Sequence, residues 1–225
     1  MKKSLLTFLL CWMLPLTLWA QEPVRLLVLG DSLSAGYGVA RGQRWVDLLA
    51  DQLKRHCDAF QVINASVSGD TSGGGLSRLP KLLEQHHPDL VIIELGGNDG
   101  LRGINLRELR ANLQHLVQLA KQTGARVLLL GMRLPPNYGP DFVQAFHQIY
   151  FDVAKAESVP LVAFFLEGVA LDPKLMQADG IHPNDQAQPI MKDNVWVGLK
   201  PIIDDSGLIP QSCLEANSPS RQAAQ

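Results

Sequence analysis

Hydrophobic residues along this chain come in short continuous runs rather than in strict alternation. Residues 25–29, 61–65, 90–95, 126–130 and 160–165 are each dominated by Val, Ile, Leu or Phe. Runs of this length and pattern are expected of strands buried on both faces of a parallel sheet. Between them the apolar positions recur at three- and four-residue spacing, over 45–56, 75–86, 106–123 and 141–157. The third of these carries a clear apolar stripe, Leu109, Leu113, Leu116, Val117 and Ala120. Gly124, just past Thr123, supplies its stop. A last helix near 186–199 returns the chain to the sheet. Strand–helix alternation of this kind predicts one doubly wound, three-layer α/β/α sandwich.

The two ends of the chain differ from its middle. Met1-Lys2-Lys3 is a charged start, residues 5–19 are almost unbroken apolar, and Ala20 precedes the polar Gln21-Glu22-Pro23. This is the pattern of a secretory signal peptide over 1–20, cleaved after Ala20, and it predicts a periplasmic or secreted protein. Residues 21–204 then form the domain. From Asp205 onward Ser, Pro, Gln, Asn and Ala replace large apolar residues, so 205–225 is expected to be a disordered tail.

Composition narrows the function. Without Lys2 and Lys3 the 20 basic residues fall to 18 against 22 acidic ones, a net charge of −4. No basic patch points to nucleic acid, and no later segment is apolar enough to span a membrane. No H-E-x-x-H or Cys/His cluster calls for a metal, and no cofactor is expected. Cys57 and Cys213 remain after cleavage, either paired in the oxidising compartment or as free thiols.

The chemistry lies in four separated segments. Gly30-Asp31-Ser32-Leu33 follows the first strand, Gly69 the second and Gly97-Asn98-Asp99 the third; Asp179-Gly180-Ile181-His182-Pro183 comes near the end. In an open parallel sheet, ligands bind beyond the carboxyl ends of the strands, so the first three converge on one edge. A serine in an isolated G-D-S is more often a helix N-cap than a nucleophile. Its partners change that reading. Asp179 and His182 lie three residues apart in a glycine-containing turn, so the carboxylate can hold one ring nitrogen and leave the other facing Ser32. Pro183 restricts the backbone of His182 to extended conformations. Gly69 can bring a backbone N–H close to a ligand, and the Asn98 amide offers two donors to a developing oxyanion. The other five histidines lack such partners and are expected on the surface. No G-x-S-x-G elbow and no phosphate-binding G-x-x-x-x-G-K-[ST] occurs.

The set Ser32, Gly69, Asn98 and His182, in this order, resembles the four conserved blocks of the SGNH (GDSL) hydrolases. The stretches GDSLSAGYG, NASVSGDTSGGGLSRLP, ELGGNDGLRG, LPPNYGP, FFLEGV and QADGIHPN extend the likeness over residues 25–204, toward the bacterial periplasmic esterases, thioesterases and lysophospholipases of that family. The resemblance implies a flavodoxin-like, five-stranded parallel sheet of order 2-1-3-4-5. It implies Ser32 as nucleophile, His182 as base and Asp179 as its orienter, with Ser32 N–H, Gly69 N–H and the Asn98 side chain as the oxyanion hole. It further implies a serine hydrolase cleaving acyl esters, thioesters or lysophospholipids through an acyl-enzyme; a monomer is expected. In the family the acyl chain lies in a shallow groove by the Asn98 loop and the loop carrying Pro135-Pro136-Asn137-Tyr138-Gly139. Leu33, Leu101, Ile104, Leu134, Pro135 and Tyr138 are its expected lining here. Two other readings are a carbohydrate O-acetylesterase, disfavoured by the lack of an aromatic cluster to stack sugars, and a non-catalytic flavodoxin-like binding protein. The latter would make Asp179 and His182 incidental.

Overall fold

The computed structural model describes residues 22–205, 207 and 208. The leader, its cleavage point, Cys213 and nearly all of the tail lie outside them. Seven α-helices and five strands are found among the described residues: β1 (Val24–Gly30), α1 (Ser32–Ala35), α2 (Trp45–His56), β2 (Phe60–Asn64), α3 (Ser72–His86), β3 (Leu90–Glu94), α4 (Gly97–Leu101), α5 (Leu106–Gln122), β4 (Arg126–Leu130), α6 (Pro140–Glu157), β5 (Leu161–Val162) and α7 (Gln188–Asp205). The strands form one parallel sheet in the order β2-β1-β3-β4-β5, as the family resemblance implies.

Register and close contacts assign the layers. Val28, Ile92 and Leu128 are paired across β1, β3 and β4, and so are Leu29, Ile93 and Leu129, which puts the two rows on opposite faces of the sheet. A Cβ on Gly75 of α3 would lie 3.6 Å from Leu29, whereas one on Gly198 of α7 would lie 3.0 Å from Leu128. Helices α3 and α7 therefore cover opposite faces. Helix α5 packs between α3 and α6, and α2 packs beside α7, which completes three layers. All five residues of β3 are buried, as a central strand covered on both faces requires. The core is aliphatic, with Trp45, Phe146, Tyr150 and Phe165 as its largest buried side chains.

Several boundaries differ from the pattern in the sequence. Strand β5 keeps only two of six expected residues: Pro160 has no N–H to donate, and beyond Val162 the chain turns, with Phe165 N–H donating to Gly131 O at 2.8 Å. Helix α3 starts three residues early because the Thr71 side chain caps it by accepting from Gly74 N at 3.1 Å. Helix α7 runs through Pro201 to Asp205, where burial of Ile202 and Ile203 against the core outweighs the lost backbone bond. The residue after α2, Cys57, is disulfide-bonded.

Candidate active site

The carboxyl edge of β1 ends in a tight turn. The Asp31 side chain caps α1 by accepting from Leu33 N at 2.9 Å, and Ser32 is the first residue of that helix. Its Oγ stands 3.0 Å from His182 Nε2. His182 comes from the turn before α7, 150 residues away, where Asp179 Oδ1 accepts from Ile181 N at 2.9 Å and from His182 N at 3.0 Å. Asp179 Oδ2 lies 2.7 Å from His182 Nδ1. These contacts, led by the His182 backbone N–H, hold the Asp179 carboxyl down at about 2. With Asp179 ionised, Nδ1 carries the proton and donates to it. Nε2 is then left to accept the hydroxyl proton of Ser32.

The histidine turn is fastened from several sides. Gln177 Nε2 donates to Tyr37 O at 2.8 Å and to Pro183 O at 3.0 Å, and Gln177 N donates to His182 O at 2.7 Å. Asn184 Nδ2 donates to Lys174 O at 2.7 Å. The Tyr37 ring lies against the imidazole, with centroids 4.5 Å apart. Neither Tyr37 nor Gln177 stood out in the sequence, because the contact that joins them spans 140 positions.

Donors gather beside Ser32. Asn98, in α4, gives one amide N–H to Asp31 Oδ2 at 2.9 Å. The backbone N–H groups of Ser32 and Gly69 have no hydrogen-bond partner among the described residues. Gly69 adopts φ +79°, which a side chain would strain, and its carbonyl accepts from Arg102 Nη2 at 2.9 Å. Behind it Ser72 donates to Asp99 from its backbone at 2.8 Å and from its hydroxyl at 2.5 Å. The Gly69 loop is thereby tied to the Asn98 loop.

A groove of about 500 Å³ opens from Ser32, Asn98 and His182. That is within the usual range of small-molecule sites. Of the six apolar residues expected to line it, Leu33, Leu101, Leu134 and Pro135 do so. Ile104 and Tyr138 do not. The Ile104 N–H is drawn onto Asp99 O, and the exposed Tyr138 donates its hydroxyl to Leu101 O at 3.2 Å. Further lining comes from the segment between β5 and His182, with Phe164, Leu166, Ala170, Leu171 and Met176. Its contribution was hidden because the segment has little regular structure. Neither described tryptophan outside the leader that could stack a sugar, Trp45 or Trp196, lines the groove. No metal-binding cluster of His, Cys, Asp or Glu occurs among the described residues, and no helix among them is long and apolar enough to cross a membrane. His147, expected at the surface, is half-buried with Nδ1 3.0 Å from Met132 O.

Residues 28–189 match the GDSL-like lipase/acylhydrolase family. The chain is similar to the esterase TesA of Pseudomonas aeruginosa, with 54% identity over 178 residues, 79% of this chain and 89% of that one. It is also similar to the thioesterase 1/protease 1/lysophospholipase L1 of Escherichia coli, with 46% identity over 199 residues, 86% of this chain and 94% of that one. Among solved structures, the psychrotrophic esterase EstA from Pseudoalteromonas sp., inhibited by monoethylphosphonate, matches with a TM-score of 0.77 at 40% identity, covering 81% of this chain and 100% of that one.

Proposed function

The chain belongs to the GDSL-like lipase/acylhydrolase family, and on that premise we propose that it hydrolyses acyl esters and thioesters, lysophospholipids among them, through Ser32. Ser32 Oγ attacks the acyl carbonyl carbon while His182 Nε2 takes its proton. Asp179, ionised, keeps Nδ1 protonated and stabilises the imidazolium that forms. The tetrahedral oxyanion is held by Ser32 N–H, Gly69 N–H and the second amide N–H of Asn98. On collapse, His182 returns the proton to the departing alcohol or thiol. Water, deprotonated by the same nitrogen, then cleaves the acyl-enzyme.

The observation that carries this reading is the chain of contacts Asp179–His182–Ser32 at 2.7 and 3.0 Å at the mouth of an apolar groove. The groove supports an acyl chain rather than a sugar. Each methylene it desolvates fully contributes about 0.8 kcal/mol. The signal-like residues 1–20 support a periplasmic or secreted enzyme, and a monomer would suffice, since every group in the mechanism comes from one chain. A fluorophosphonate probe followed by peptide mass spectrometry tests the nucleophile. The adduct is expected on Ser32 and absent from His182→Ala. An adduct on another residue, or none, refutes the assignment.

A further inference from the structure

Two carboxyl groups lie buried under the Ser32 turn, and neither takes part in the mechanism above. Asp31 is 2% exposed and Glu94 not at all. Glu94 Oε2 accepts from Asp31 N at 3.2 Å and from Ser34 Oγ at 2.7 Å, while its Oε1 is buried without a partner. An ionised Glu94 would leave a charged oxygen unpaired in the core beside a second carboxylate. Burial, and next the charge of Asp31, accordingly hold its carboxyl well above the ordinary range, so Glu94 is neutral. Asp31 differs: each of its oxygens is matched to a donor, Oδ1 to Leu33 N and Oδ2 to Asn98 Nδ2, both at 2.9 Å. The single negative charge belongs there.

We propose that Asp31 is the positioning residue of the oxyanion hole: its carboxylate takes one amide N–H of Asn98 and thereby turns the other toward the reacting carbonyl. The proposal rests on the reading of Asn98 as an oxyanion donor. An amide can flip, and flipped it would present its carbonyl oxygen to the developing negative charge. An acceptor-only partner forbids that flip, because two oxygens would then face each other. Glu94 fixes the arrangement from behind by holding the Asp31 backbone, and its neutrality leaves Asp31 as the charged group.

Asp31→Asn separates this role from a general structural one. Two donors converge on position 31, and an asparagine has one acceptor oxygen. The Leu33 N–H is fixed by the backbone and keeps that oxygen, so the new amide faces the Asn98 amide, which must flip. Loss of one oxyanion donor costs about 10²–10³ in kcat. Asp31→Asn is therefore expected to lower kcat on a p-nitrophenyl ester by roughly that factor, with KM within about threefold because the donor acts mainly in the transition state. Asn98→Ala should do the same, and the double variant should be no worse than Asn98→Ala alone, since both remove one interaction.

Protonation of Asp31 should act like the substitution. The groups that face it are Glu94 from β3, His182 from the turn before α7, Asp70 ahead of α3, and Tyr150 of α6, whose hydroxyl donates to Leu95 O at 2.9 Å. Burial above all raises Asp31 to about 6, against the Leu33 and Asn98 bonds. On acidification wild-type kcat should then fall more steeply than that of Asn98→Ala, by the one proton that Asp31 takes up. This comparison needs no variant of Asp31 and decides the matter even if Asp31→Asn does not fold.

Multiplicative losses in the double variant, an unchanged kcat in Asp31→Asn, or equal acid slopes in wild type and Asn98→Ala would each overturn the proposal while leaving Asn98 as a donor. Wild-type kcat in Asn98→Ala would instead overturn the oxyanion reading of Asn98, and the role of Asp31 with it.

Discussion

Asp31→Asn also makes a prediction about stability that is independent of catalysis. Burial raises the Asp31 carboxyl from its ordinary 3.8 to about 6. A raised carboxyl binds its proton more tightly in the folded state. Its contribution to stability is therefore full below 3.8 and is lost as pH rises through 6. At 1.36 kcal/mol per pH unit, this interval corresponds to about 3 kcal/mol. The group is almost wholly buried, so little of this is screened by solvent. An asparagine does not titrate, and the substitution removes the pH-dependent loss entirely. It also leaves one buried donor short of an acceptor, a pH-independent cost of about 1–3 kcal/mol. The variant should thus be less stable than wild type near pH 4 and level or more stable at pH 7.5. For a domain of this size about 1 kcal/mol moves Tm by ~2–4 °C, so the difference in Tm between the two proteins should swing by ~6–12 °C over that range. Thermal or urea unfolding of both at several pH values measures it. A difference that stays constant with pH would refute the assignment of the buried charge to Asp31. A swing of the opposite sign would mean that the ionised carboxylate is stabilising there.

The other predictions concern turnover. Ser32→Ala and His182→Ala should each lower kcat by ~10⁴-fold or more in a protein that still melts cooperatively, and Asp179→Ala should be milder; near-normal turnover by folded Ser32→Ala would end the triad assignment. The kcat/KM profile should fall on acidification because His182 must be neutral to act as base; Asp179, held at about 2, stays ionised down to mildly acid pH and adds no limb there, so a profile flat from pH 5 to 9 contradicts histidine base catalysis. Rates on p-nitrophenyl esters should rise modestly with acyl length and then plateau as the chain fills the groove, and a higher kcat/KM on acetylated sugars at matched concentration would make the carbohydrate esterase the better reading.

The sequence alone determined what local physics controls. Helix α2 begins and ends where its apolar stripe does, and β4 coincides with the run at 126–130, because the four residues after the exposed Arg126 are buried and all apolar. Ser32, Asp179 and His182 were legible because the motif around each sets a local turn: a helix start for Ser32, and a carboxylate three residues from its histidine. Where local signals conflicted with burial, tertiary structure decided. The glycines at the start of α3 hid the first turn of a helix that Thr71 caps, and Pro201 hid the last turn of one that Ile202 and Ile203 pull into the core. The groove was half legible: Leu134 and Pro135 sit in a recognisable loop, whereas Leu166, Leu171 and Met176 reach it only because a largely irregular segment folds back over the sheet edge. Least legible was the state of Asp31 and Glu94. Sixty-three positions separate them, and although the apolar run 90–95 marks Glu94 as buried, nothing in either local sequence sets the two carboxyls side by side. Pairing β1 with β3 sets Gly30 beside Glu94, and that contact decides which of the two carboxyls keeps a proton. Propensity and periodicity act over a few residues, whereas desolvation and charge–charge repulsion depend on which strands become neighbours.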